Sequence, residues 1–70
     1  MPIHLAPLNV ELRIVKVLAN EKIKKHLESL GILTNARVTV ISNDAGSVVL
    51  QVKEGRLALD RDISNKILVA

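Results

Sequence analysis

Residues 23–41, IKKHLESLGILTNARVTVI, constrain the fold more than any other part of the chain. Ile23, Leu27 and Leu30 recur at i, i+4 and i+7, which makes one stripe of a 3.6-residue period apolar. Gly31 stands where a left-handed residue ends a helix. From Ala36 the period drops to two, with Ala36, Val38 and Val40 on one face and Arg37 and Thr39 on the other. A helix running to about Leu30 therefore gives way, after a short hinge, to a half-buried strand. Asn20 is placed to cap that helix by accepting from first-turn N–H groups. Glu21 suits the helix dipole and forms a well-oriented i, i+4 pair with Lys25.

The remainder reads as strand and turn. The first long strand spans about residues 10–18. Val10, Leu12 and Ile14 form its apolar set at first, and Val15 and Val17 take over after a change of phase. A β-bulge or sharp coil produces such a change, and strands of small barrels need one. Asn43-Asp44-Ala45-Gly46 is a turn cluster between strands over 36–42 and 47–53. Glu54-Gly55 turns the chain into a strand over 56–59, with Leu57 and Leu59 inward. Asp60 caps a single helical turn reaching Asn65, and Ile67-Leu68-Val69 closes as a last strand. Pro2 and Pro7 flank a short apolar lead, so residues 1–7 read as an extended arm. The expected fold is mainly β: a five-stranded barrel with one short α-helix inserted after the first long strand.

Seventy residues make one domain, residues 1–70, with no room for a second. The core must be aliphatic, because 49% of residues are hydrophobic and none is Phe, Tyr or Trp. The missing rings also restrict function. Modules for single-stranded nucleic acid stack bases on aromatic side chains, and polyproline readers line their groove with them. Neither surface can be built here, so nucleic acid is not an expected partner. Without cysteine there is neither a disulfide framework nor a thiolate metal site. No apolar run approaches the ~18 residues of a membrane span, and residues 1–10 lack the pattern of a signal peptide. The expected location is the cytoplasm, with any membrane involvement passing through a partner.

Catalysis finds no support. Gly31, Gly46 and Gly55 are scattered at turns and make no phosphate loop. Nothing in the spacing brings His4 or His26 to Ser29, Ser42, Ser47 or Ser64 as a nucleophile and base would require. Asp60 and Asp62 read as a helix cap and a solvated charge. The chain is not expected to be an enzyme.

Strand, helix with HLESLGIL, turn, ARVTVI, hairpin, RLALD and a terminal KILVA together resemble the FeoA family, over about residues 8–69. The resemblance is carried by Leu27, Leu30-Gly31-Ile32, Val38 and Val40, with Leu8, Leu57, Leu59, Ile67 and Val69 in support. Two glycine positions usual in the family, ahead of the first strand and after the helix, are here Asn9 and Asn35. Asparagine tolerates positive φ, so both turns can be kept. The resemblance implies an SH3-like barrel and a stand-alone accessory protein of ferrous iron uptake. Its implied partner is the FeoB-type permease, whose cytosolic part contains a GTP-binding domain. A similar domain ends some metal-dependent repressors, which gives an alternative: a regulatory module that binds a transition metal ion, iron or zinc, as a homodimer.

Three groups of residues are candidates for these roles. Lys22, Lys24 and Lys25, with Arg37 on the following strand, are candidates for a basic patch that docks on an acidic partner. Net charge is +3, with both signs interspersed. Ile41, Val49 and Leu68 remain once the inward sets are assigned, and are candidates for an apolar contact surface. His26, at the edge of the helical stripe, and His4, in the arm, are the metal-ligand candidates. Two histidines without cysteine make a poor tetrahedral site within one chain, which leaves a site shared between two chains.

Overall fold

The computed structural model describes residues 1–53 and 55–70. The apolar stripe becomes helix α1, Glu21–Ser29. Its start is fixed by Asn20, whose Oδ1 accepts a 2.9 Å hydrogen bond from the Ile23 N–H. Its end is a Schellman closure: the Gly31 N–H donates to the Glu28 carbonyl at 3.0 Å and the Ile32 N–H to the Leu27 carbonyl at 2.9 Å. Gly31 takes φ +95°, while a Cβ there would meet nothing closer than Val52 Cγ2 at 3.8 Å. Backbone conformation, not space, selects glycine. We expect Asn20→Ala to cost about 1 kcal/mol, read as a lower urea midpoint by far-ultraviolet circular dichroism. An unchanged midpoint would mean that the cap is not made in solution.

Five antiparallel strands form one sheet in the order β4-β3-β2-β1-β5. They are β1 Glu11–Val17, β2 Arg37–Asp44, β3 Ser47–Val52, β4 Gly55–Leu59 and β5 Ile67–Val69, with a short helix α2, Arg61–Ser64, between the last two. The mainly β, SH3-like architecture with its inserted helix is as expected. The phase change in β1 is a register shift between Ile14 and Lys16 against β5. Leu12, Ile14 and Val17 are buried, but Val15 is exposed, as is Val10 just ahead of the strand. The inward assignment of Val10 and Val15 is thereby corrected: Val15 is the extra residue of the bulge, and Val10 precedes the pairing. A second shift, between Val40 and Ser42, occurs in β2. Asn9 and Asn35 adopt φ 61° and 73°, the backbone that the family's glycines would supply. β2 runs two residues further than expected, and the turn narrows to Ala45 and Gly46, at φ 53° and 95°. Positive φ at both central residues suits a two-residue hairpin. The Glu54 half of the expected Glu54-Gly55 turn lies outside the described residues; Gly55 opens β4 opposite Val52.

The N-terminal segment departs from expectation. Residues 1–7 are not an extended arm: Ile3–Leu5 form a single 3-10 turn, and Ile3 is completely buried. Pro2 and Ala6, on either side, are extended, so the proline signal acts locally while the residues between them coil to put Ile3 into the core. The segment also seals an edge. The Val69 N–H donates to the Met1 carbonyl at 2.7 Å, the Met1 amino group donates to the Val69 carbonyl at 2.9 Å, and Pro2 bridges Leu68.

The core is aliphatic, and all five strands, α1, Ile32 and Ile3 contribute to it. Ser64 is its one buried polar side chain among the described residues. Its Oγ donates toward the Gly46 carbonyl at 2.6 Å, with the Arg61 carbonyl 3.1 Å away. This bond ties α2 to the β2–β3 turn and removes the cost of burying an unpaired hydroxyl. Asp60 caps α2, its Oδ1 accepting from the Ile63 N–H at 2.9 Å.

Candidate functional site

The apolar stripe of α1 is longer than the cover the sheet gives it. Leu27 is buried, Ile23 is half-buried, and Leu30, at the C-terminal end, stays 37% exposed. Facing this stripe are Ala58 and Leu59 of β4 and Ile63 of α2. Between the two walls runs an open groove of about 590 Å³, mainly apolar, with Asn20, Lys22, His26 and Asp60 also lining it. Ala58 and Leu59 are consecutive strand residues whose side chains point to opposite faces. Both line the groove, so the edge of β4 borders it. β4 pairs only with β3 among the described residues.

Helical geometry divides the expected basic patch. At 100° per residue Lys22 and His26 lie on one flank of the stripe, about 40° apart, while Lys24 falls about 160° from Lys22 and Lys25 points outward. Lys22 and His26 therefore line the groove, and Lys24 and Lys25 do not. Arg37 lies elsewhere, with its Nη1 2.7 Å from Glu11 Oε1. Both side chains of that pair are largely exposed, so the bond adds little stability, yet it partly compensates the arginine charge. The pair sits in a second hollow of about 660 Å³, beside Leu33 and Lys53. That hollow is larger, but the strands bordering it, β1, β2 and β3, are paired on both sides.

The expected apolar surface also separates. Ile41 occupies the β2 bulge next to Ser42, which pairs with Val49, and Val49 pairs with Ala58. Leu68 lies opposite Lys16 on β5, with β1 between it and β2. All three are half-buried. Ile41, Val49 and Ala58 thus make a small neighbouring set, and Leu68 is outside it.

The two histidines do not converge. His26 is exposed on α1. His4, half-buried on the 3-10 turn, lines a polar hollow with Asn43, Arg61 and Asn65. Its carbonyl accepts from Asn43 Nδ2 at 2.6 Å, and its Nδ1 is buried without a hydrogen-bond partner. Among the described residues no group of three or more His, Cys, Asp or Glu is placed to hold a metal ion. Among the described residues, no helix is long and apolar enough to cross a membrane.

Leu30 was legible as part of the stripe, but its role as a groove wall was not. Ala58 and Ile63 were missed as site residues. Ile63 signals itself only as an apolar residue between Asp62 and Ser64, and Ala58, between Leu57 and Leu59, carries no signal of its own.

A family model described as the FeoA domain matches residues 1–70. Among solved structures, the chain is similar to an iron uptake regulatory protein (FeoA) whose crystal structure was solved by sulfur SAD. That likeness has a TM-score of 0.88 and 18% identity over 99% of this chain and 93% of that one. It is also similar to the FeoA protein from Chlorobium tepidum, with TM-score 0.83 and 18% identity over 99% and 68% of the two chains. A FeoA-like protein from Clostridium acetobutylicum gives TM-score 0.79 and 14% identity over 100% and 84%. No protein of curated function matches the chain.

Proposed function

The chain belongs to the FeoA domain family, and from that premise we propose that it is a non-enzymatic cytoplasmic accessory protein of ferrous iron uptake. In this reading residues 1–70 work as one domain that docks on the cytosolic part of a FeoB-type GTPase permease. Family membership supports a role in ferrous iron transport. The groove supports docking: an apolar channel beside an unpaired strand edge is a surface for another protein. Lys22 on its rim adds a cation for an acidic partner. Of the residues expected to bind a partner, this reading keeps Lys22 in contact. Lys24 and Lys25 act through longer-range attraction, which salt weakens, and Arg37, Ile41, Val49 and Leu68 lie outside the contact.

The test is Leu30→Glu, with binding to the permease's cytosolic domain measured by surface plasmon resonance. Losing a buried leucine contact is worth about 1.5–3 kcal/mol, so affinity should fall by about tenfold or more. Leu30 is already 37% exposed, so the melting temperature should move only a few degrees. Wild-type affinity in this variant would remove the groove from the docking face. A loss of binding in Val49→Asp instead would move the contact to the outer face of the sheet.

A further inference from the structure

We propose that the open edge of β4 accepts an added strand: an extended, acidic segment of a partner protein that pairs with β4 and seats its apolar side chains in the α1 groove. The inference rests on the docking reading above and specifies its mode.

Backbone accounting identifies the free groups. Ala45 and Gly46 make a two-residue turn, so Asp44 and Ser47 are the closing hydrogen-bonded pair. Backbone groups alternate in direction along a strand, so those of Ser47, Val49 and Gln51 face β2, and those of Val48, Leu50 and Val52 face β4. The β4 partners of the second set are Leu59, Leu57 and Gly55, whose N–H and C=O groups are occupied by β3. The N–H and C=O of Arg56 and Ala58 therefore point to the open side.

The two ends of the sheet are treated differently. β5, the other terminal strand, has its outer edge covered by Met1 and Pro2. β4 has no such cover among the described residues and lies against an apolar groove instead. An exposed edge beside an apolar channel is the arrangement used in strand addition, where main-chain bonds give affinity and alternate side chains give specificity.

Charge selects the occupant. Arg56 and Ala58 are exposed on the outer face of β4, while Leu59 is buried on the inner. An added strand repeats that alternation, with one set of side chains toward Leu30, Leu59 and Ile63 and the other toward Arg56. Lys22 lines the groove, whereas the Arg61 side chain lies against Gly46 in the hollow beside His4 and takes no part. The Asp60 carboxylate, the rim's one anion, is engaged by the Ile63 N–H. A second copy paired antiparallel on β4 would bring two Arg56 side chains to one seam, in a chain already at +3. A segment alternating apolar and acidic residues meets both requirements.

The probe is a blocked heptapeptide alternating Glu and Val, compared with its Lys–Val counterpart. Binding is followed by fluorescence anisotropy of the labelled peptide and by amide hydrogen exchange of the protein. The Glu–Val peptide should bind, slow the exchange of Arg56 and Ala58, and lose about tenfold or more in affinity to Ala58→Pro. Proline is tolerated where an edge N–H faces solvent, so the fold should survive. Arg56→Glu, which leaves the backbone edge intact, should reverse the preference toward the Lys–Val peptide. Failure of the Glu–Val peptide to bind, protection confined to other strands, or unchanged binding in Ala58→Pro would overturn the inference. So would protection of Arg56 and Ala58 that appears with protein concentration alone, since the occupant would then be a second copy. The docking reading is judged separately. If the permease domain binds wild type and Ala58→Pro equally, docking stands and strand addition falls; if it binds neither while the peptide behaves as stated, the reverse holds.

Discussion

Leu50→Ala should destabilise the protein by about 3 kcal/mol, in the range of leucine truncations in close-packed cores. Leu50 is fully buried at the centre of β3. It pairs with Val40 on one side and Leu57 on the other, so an aliphatic row crosses three strands at this point. Removing its isobutyl group forfeits transfer free energy and leaves a void that strands fixed on both sides cannot close. The consequence is large because the whole is small. A 70-residue domain carries about 4–10 kcal/mol of stability, so this truncation takes a third or more of it. The melting temperature should fall by about 15–20 °C. Circular dichroism in the far ultraviolet is the appropriate readout, since the chain has no Phe, Tyr or Trp to report by fluorescence. Val49→Ala, the half-buried neighbour, should cost under about 1 kcal/mol. Equal costs for the two substitutions would contradict the assignment of inner and outer faces.

Ile3→Ala should cost about 2–4 kcal/mol, a large penalty for a change so near the start of the chain. An extended arm in solvent would lose almost nothing from the same substitution, so the experiment separates the two descriptions of residues 1–7 directly. Ile3 is 0% exposed. It is held by the turn in which the Ala6 N–H donates to the Ile3 carbonyl at 3.1 Å, and by the pairing of Met1 with Val69. Loosening that turn should also release the edge of β5. Amide exchange at Val69 should therefore accelerate in Ile3→Ala, while exchange in β3 follows the global stability change. An effect below about 0.5 kcal/mol, with Val69 still protected, would show that Ile3 does not pack as described.

The parts legible in the sequence are those whose cause is local. Asn20, the Ile23–Leu27–Leu30 stripe and Gly31 each act through near neighbours in the chain, so the sequence alone marks α1 and both its ends. The bulge in β1 showed itself because Ile14 and Val15 are both apolar and break an otherwise strict alternation. The one in β2 did not, because the residues after Ile41 are polar on both faces and carry no phase. Burial of Ile3 depends on β5, more than sixty positions away, and two prolines nearby suggested extended backbone throughout. The site was half legible for the same reason. Lys22, His26 and Leu30 belong to a helix whose periodicity can be counted, whereas Ala58 and Ile63 join them only through tertiary packing. Sequence adjacency also misled: Lys22, Lys24 and Lys25 look like one cluster when written in line, but the helix carries them to different sides.

Pairing of Met1 with Val69 brings the first and last residues of this chain side by side. A few flexible residues joining Ala70 to Met1 would close the polypeptide into a ring with no strand displaced. Such a circle would restrict the denatured ensemble by about 4 kcal/mol of loop entropy, while the hairpin tip at Ala45 and Gly46 could be cut to supply new ends.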